Sequence, residues 1–168
     1  MSQYVASIAV DAVIAALGAF IQPFVPGGTI VRGQGNRVPQ PEDPCVILME
    51  ISQVDIETPI DVFDPENNQV NIAGPKQIGI QIDFYGVASG DYCAAVKTVY
   101  RSPYAPAQFP DGIKPLFCSD GQQSPLITGE EQYESRWTLT ANLQYNPVVS
   151  VPQDSADELE LTSIEAFS

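Results

Sequence analysis

Histidine is absent from all 168 residues of the chain. That removes the usual neutral-pH general base, the commonest imidazole metal ligand, and every Ser-His or Cys-His nucleophile pair. Basic residues are scarce as well: seven Lys and Arg stand against 21 Asp and Glu, for a formal net charge of −14. Affinity for nucleic-acid phosphates comes from clustered Lys and Arg that release counterions, so this acid excess argues against such binding. Cysteine is limited to Cys45, Cys93 and Cys118, an odd number without a C-x-x-C pair. That spacing suits neither a zinc site nor a thioredoxin-like motif, and buried free thiols in a reducing cytosol are expected. One Trp is too few for the aromatic platform of a carbohydrate-cleaving enzyme.

What is present points to an ordered single domain, 1–168. Apolar residues make up 44% and charged residues 17%, while 15 prolines and 12 glycines imply many loops and short strands. Residues 3–22 carry Val5, Ile8, Ala12, Val13, Leu17, Phe20 and Ile21 at helical spacing, which predicts a helix within an N-terminal segment 1–26. Asp11 near its centre and the lack of a preceding Lys or Arg argue against a membrane span or signal peptide. Residues 27–44, rich in Gly, Pro, Gln and Asn, read as a flexible loop carrying Arg32 and Arg37. The Gly33-Gln34-Gly35-Asn36 run lacks the strand before it and the Lys-Ser/Thr after it that a phosphate cradle needs.

A β region follows. Cys45–Ser52 is a continuous apolar run, expected to be covered on both faces. Asp55–Phe63 alternates, with Asp55, Glu57 and Asp61 opposite Ile56, Thr58, Ile60 and Val62, and Pro59 implies that this strand sits at an edge or carries a bulge. Residues 64–75 read as a turn, and Lys76–Tyr85 alternates again through Ile78, Ile80, Ile82 and Phe84. Residues 89–101 predict a second helix, capped by Ser89, with Tyr92, Ala95, Val96, Val99 and Tyr100 as its apolar stripe. A short strand at Leu116–Ser119 and a long one at Tyr133–Tyr145 come next, and Val148–Val151 is expected to resume pairing. The tail 153–168 is acidic. Together these predict an α+β fold, a mostly antiparallel β-sheet with two helices packed on it.

Carboxylates are the only reactive population to test. Glu130, Glu131 and Glu134, or Asp55 with Glu57, have the chemistry of a general acid and base, but nothing in sequence marks a cleft around them. No D-x-D-x-D-G calcium loop and no G-x-S-x-G elbow occurs. Tyr85, Tyr92, Tyr100, Tyr104 and Trp137 sit at spacings that suit packing better than stacking on bases or sugars. The chain is therefore expected not to be an enzyme and to hold no metal or cofactor.

Several spaced motifs agree in order with a known family. Asp83-Phe84-Tyr85-Gly86, Arg101-Ser102-Pro103-Tyr104, Pro115 to Asp120, Gly129 to Trp137 with Tyr133, and Leu143-Gln144-Tyr145-Asn146-Pro147 resemble the phage neck terminator, or tail-terminator-like, proteins. The resemblance spans residues 45–152, a terminator-like core, and leaves the loop before it and the acidic C-terminal arm outside.

The resemblance implies a structural virion protein of the tail neck, assembled in the bacterial host cytoplasm. It implies a homo-oligomeric ring, a hexamer, that caps the tail tube, stops its polymerisation, and offers a docking surface to the head-tail connector. A sheath or sheath terminator joins the partners if the tail is contractile, DNA passes through without specific binding, and no membrane is involved. Asp55, Glu57 and Asp61 are the acids expected to line the channel. Ring or partner contacts are expected at Arg32, Arg37, Glu130, Glu131 and Arg136. Another neck or tube subunit, or an acidic binding module, remains the alternative.

Overall fold

The computed structural model describes residues 4–33, 41–124, 126–127 and 133–153. Helix α1 spans Val10–Ile21, and its buried residues Val13, Ile14, Leu17, Phe20 and Ile21 repeat at the spacing of one helical face. It starts later than the sequence predicts. Ser7 lies in a bend before it, its N–H donating to the Val148 carbonyl at 2.9 Å and its Oγ accepting from the Val148 N–H at 3.0 Å. Asp11 consequently lies in the first turn, where the helix dipole favours an acid, rather than at mid-helix. A 3₁₀ turn at Gln22–Phe24 with Pro23 inside it ends the helix.

Within the expected loop 27–44, residues Thr29–Arg32 form strand β1, parallel to the first four residues of β2, Cys45–Asp55. β-branched Thr29, Ile30 and Val31 suit a pleated edge, and Ile30 packs on the core under α1. Strand β2 stops at Asp55, so the single strand expected over Asp55–Phe63 is two separate pieces. The chain leaves the sheet at residues 56–59, where Pro59 has no N–H for a ladder, and re-enters as β3, Ile60–Asp64. The expected turn 64–75 contains β4, Gln69–Ala73, paired antiparallel with β3. Only the tip turns: the Asp64 carboxylate accepts from Asn67 Nδ2 at 2.8 Å and the Glu66 N–H at 3.0 Å, with Asn68 at φ +49°. These bonds, the Asn67 side chain foremost, hold the Asp64 carboxyl below the usual carboxylate range.

Strand β5, Lys76–Tyr85, occupies the predicted span, with Ile78, Ile80, Ile82 and Phe84 fully buried. Helix α2, Ser89–Tyr100, is capped by Ala88 rather than Ser89, whose buried Oγ instead meets the Ser135 Oγ at 2.9 Å. Cys93, Val96 and Tyr100 form its buried stripe, while Ala95 is exposed. After a 3₁₀ turn at Ala105–Gln108 come β6 (Ile113–Cys118), β7 (Gln122–Gln123), β8 (Leu126–Ile127), β9 (Tyr133–Glu134), β10 (Arg136–Tyr145) and β11 (Val148–Pro152).

The main sheet runs β1-β2-β5-β10-β6, with β7 also on β10, and every pairing except β1–β2 is antiparallel. Strand β11 does not rejoin it. It pairs instead with β4, making a second sheet, β11-β4-β3, that forms an arm. Both helices pack on the face of the main sheet that carries Leu48, Ile82, Phe84 and Leu139. All three cysteines are buried and form no disulfide, and burial pushes the Cys93 thiol up to about 11. Among the described residues no helix is long and apolar enough to cross a membrane.

Candidate assembly surface

Strand alternation and the pairing registers put Gln77, Gly79, Gln81 and Asp83 of β5 on the sheet face opposite the helices. Beside them stand Arg136, Thr138, Thr140 and Asn142 of β10, which read as a polar face from sequence. Asp83 is nevertheless 2% exposed. Its carboxylate accepts from Arg136 Nη2 at 2.8 Å, Thr138 Oγ1 at 2.6 Å and Gln81 Nε2 at 2.9 Å. The Arg136 guanidinium also lies 5.7 Å from the centre of the Tyr85 ring. This network ties β5 to β10 across the sheet and consumes the charge of both partners.

Further along the same face the character changes. Ile51 and Val54 of β2 and Phe117 of β6 stand exposed, with Lys114 at the sheet's edge. A bulge in β2 between Glu50 and Ser52 brings Ser52 Oγ within 2.4 Å of where a Cβ on Gly79 would sit, so a side chain there collides with it. The sequence expectation that β2 is covered on both faces is met at its start, where Cys45 on the open face is fully buried, and fails on the open face from Ile51 onward. Apolar residues also dominate the arm, where Ile56, Ile60, Val62 and Phe63 are exposed. Clusters of exposed apolar side chains on this scale mark contact surfaces, unlike scattered single residues.

The predicted channel acids do not share a strand. Asp55 ends β2 and is paired with Lys76, Glu57 lies in the connection, and Asp61 sits on β3. Glu57 and Asp61 are exposed, with no cationic partner among the described residues. Among the expected contact residues, Arg32 pairs with Asp11 across a groove of about 500 Å³ between α1 and β1, and Arg136 is committed to Asp83. Arg37, Glu130 and Glu131 lie outside the described residues, as does the acidic tail from 154 onward.

The family motif is framework. Asp83 and Tyr85 point to the open face, while Phe84, Trp137 and Tyr145 point to the helices. Gly86, at φ +107°, makes the turn from β5 into α2, a conformation that favours glycine. Tyr133 belongs to β9. Of the tyrosines considered for stacking, Tyr85 and Tyr100 are buried in packing, Tyr92 is half-buried against the core, and Tyr104 stands exposed. Tyr100 is buried and donates to the Asn142 carbonyl at 2.7 Å, and burial raises the phenol pKa values of Tyr85 and Tyr100. Sequence reading missed the open sheet face and Lys114, although the unbroken apolar run through β2 was its signal.

Among the described residues, no three His, Cys, Asp or Glu side chains gather as they would around a metal ion. The charged groups at the sheet's centre neutralise one another, and what remains among the described residues is apolar surface, acids without a cationic partner such as Glu57 and Asp61, and the Lys114 ammonium without an acid partner. Those are the features of an assembly subunit. The chain belongs to the phage neck terminator protein family, whose sequence profile matches residues 11–166. No curated protein sequence matches it. Its fold is similar to a cryo-EM structure of the sheath/tube terminator, in the extended state, of PVC, an extracellular contractile injection system. That likeness has a TM-score of 0.57 at 13% identity and covers 96% of this chain. The chain spans 64% of the length of that terminator.

Proposed function

We propose that this protein is the tail terminator of a tailed phage, a structural subunit that caps the tail tube at the virion neck. The family match over nearly the whole chain carries the reading, and the α+β fold shared with a sheath/tube terminator supports it. In the reading, copies close into a hexameric ring on the last tube ring. The upper face then docks the head-tail connector, and the rim meets the sheath or its terminator in a contractile tail. A tube grows by heterologous contacts that never close along its axis, and a subunit keeping only the lower contact stops it.

The charge has a role in this reading. Six copies at −14 each bring a strongly negative ring to the channel through which DNA passes. Asp55, Glu57 and Asp61 would line it, with Glu57 and Asp61 contributing most because Lys76 offsets Asp55. No specific DNA binding is needed, and repulsion keeps the duplex from adsorbing.

Added to growing tubes at one ring per end, the protein stops elongation. Continued growth with its incorporation would instead make it a tube subunit, and electron microscopy of tube lengths distinguishes the two. For the channel acids, Glu57→Lys with Asp61→Lys slows genome ejection from phage whose neck rings are intact. Ejection at the wild-type rate would remove them from the lumen.

A further inference from the structure

Two separate groups of exposed apolar residues stand out, one on the acidic arm and one on the open sheet face. Ile51, Val54, Ile60, Val62 and Phe117 are each between 50% and 58% exposed, so the arm does not cover its own chain's open sheet face. The arm segment from Ile56 to Pro75 carries four acids and no Lys or Arg. At the edge of the open face, Lys114 of β6 donates to the Pro106 carbonyl at 3.2 Å, in the 3₁₀ turn after α2. It is the one cation among the described residues without an acid partner.

We infer that the β3–β4 arm of one copy lies across the open sheet face of the next, with Ile60 and Val62 covering Ile51, Val54 and Phe117 beside Lys114. This rests on the ring reading and gives it a specific junction. A closed ring needs two different patches on each subunit that match one another, and this chain supplies both. The dimensions agree. From β2 to β6 is three strand spacings, about 14 Å, and the five residues of β3 extend about 17 Å.

Alternation on β3 separates the duties of the arm. Ile60, Val62 and Asp64 point to one side, Asp61 and Phe63 to the other. A side seated on the neighbour therefore leaves Asp61 facing away, free for the channel. The arm is pre-set for this contact, because β11 pairs along β4 and the Gly74 N–H donates to the Pro147 carbonyl at 3.2 Å. Little ordering entropy is then lost on docking.

The test uses the full chain with Val62→Asp, Phe117→Asp and Lys114→Glu, all at exposed positions, with thermal melts overlaying wild type as the folding control. Each Asp variant raises the concentration needed for assembly by at least about tenfold, as expected for losing one buried aliphatic or aromatic contact. Lys114→Glu raises it too, most at low salt. Mixing Val62→Asp with Phe117→Asp is decisive, since each has one intact patch. The mixture forms heterodimers by sedimentation but no rings. If wild type forms rings and either Asp variant does so equally well, or the mixture stays monomeric, the junction is wrong while the ring stands. If wild type stays monomeric both at high concentration and on tube ends, the ring reading fails and takes the junction with it.

Discussion

Replacing Arg136 with Ala is expected to cost about 3 kcal/mol of folding stability, read as a drop in the urea midpoint. The substitution leaves the Asp83 carboxylate, 2% exposed, in the sheet without its cation. Breaking a buried pair from one side costs about 3–5 kcal/mol because the remaining charge has neither water nor partner. The lower end applies here for two reasons. The Arg136 side chain is 24% exposed, and Thr138 and Gln81 go on donating to Asp83 at 2.6 and 2.9 Å. Arg136 also enters the pair at a disadvantage, because its Nε is buried with no partner among the described residues. Asp83→Asn is expected to do less harm, since an amide keeps the Thr138 bond and the guanidinium reaches solvent. A loss under about 1 kcal/mol for Arg136→Ala would mean the pair adds orientation but no net stability.

Phe20→Ala carries the other large effect, about 3–5 kcal/mol. The ring of Phe20 is 5% exposed and joins α1 to the rest of the core. Its centroid lies 5.2 Å from that of Phe109 in a stacked pair, 5.8 Å from Tyr100 edge-on, and 5.7 Å from Phe24. Truncation opens a cavity among three aromatic neighbours and removes contacts worth about 0.5–1.5 kcal/mol each beyond the area lost. For a chain of this size that is on the order of 10 °C in the melting temperature. Tyr104→Ala, at an exposed ring lining the same groove as Phe20 and Phe24, is the matched control and leaves the melt unchanged. Equal, small shifts for both variants would show that α1 contributes little to the cooperative unit.

Much of the framework was legible because it depends on short-range periodicity. The alternation Ile78, Ile80, Ile82, Phe84 marked β5, and the run from Trp137 to Tyr145 marked β10. In both, every second residue enters the same core. The α+β class, the two helices and the burial of the cysteines without a disulfide agree with the same reading. Expectations failed where a local pattern had two non-local outcomes. The alternation of 55–63 holds for a strand in either sheet, and only the break at Pro59 and pairing with β4 sent Asp61 to the arm. Val148–Val151 reads as one more strand, yet the sheet it joined depended on β4, about 75 residues earlier in the chain. Ser89 had the chemistry of a cap, and a serine 46 residues away took its hydroxyl.

The surface divides in the same way. A net charge of −14 without one histidine is a property of the sequence alone. It excludes imidazole chemistry and disfavours nucleic-acid binding in any fold the chain adopts. Which charges remain available is a tertiary matter. Arg136 looked free for a partner, and the fold committed it to an aspartate 53 residues away. Lys114 carried no mark in sequence, and the fold left it without an acid partner at the sheet's edge, its ammonium on the Pro106 carbonyl. Composition sets how many charges there are, but neutralisation acts over a few ångströms, and only folding decides which residues come that close.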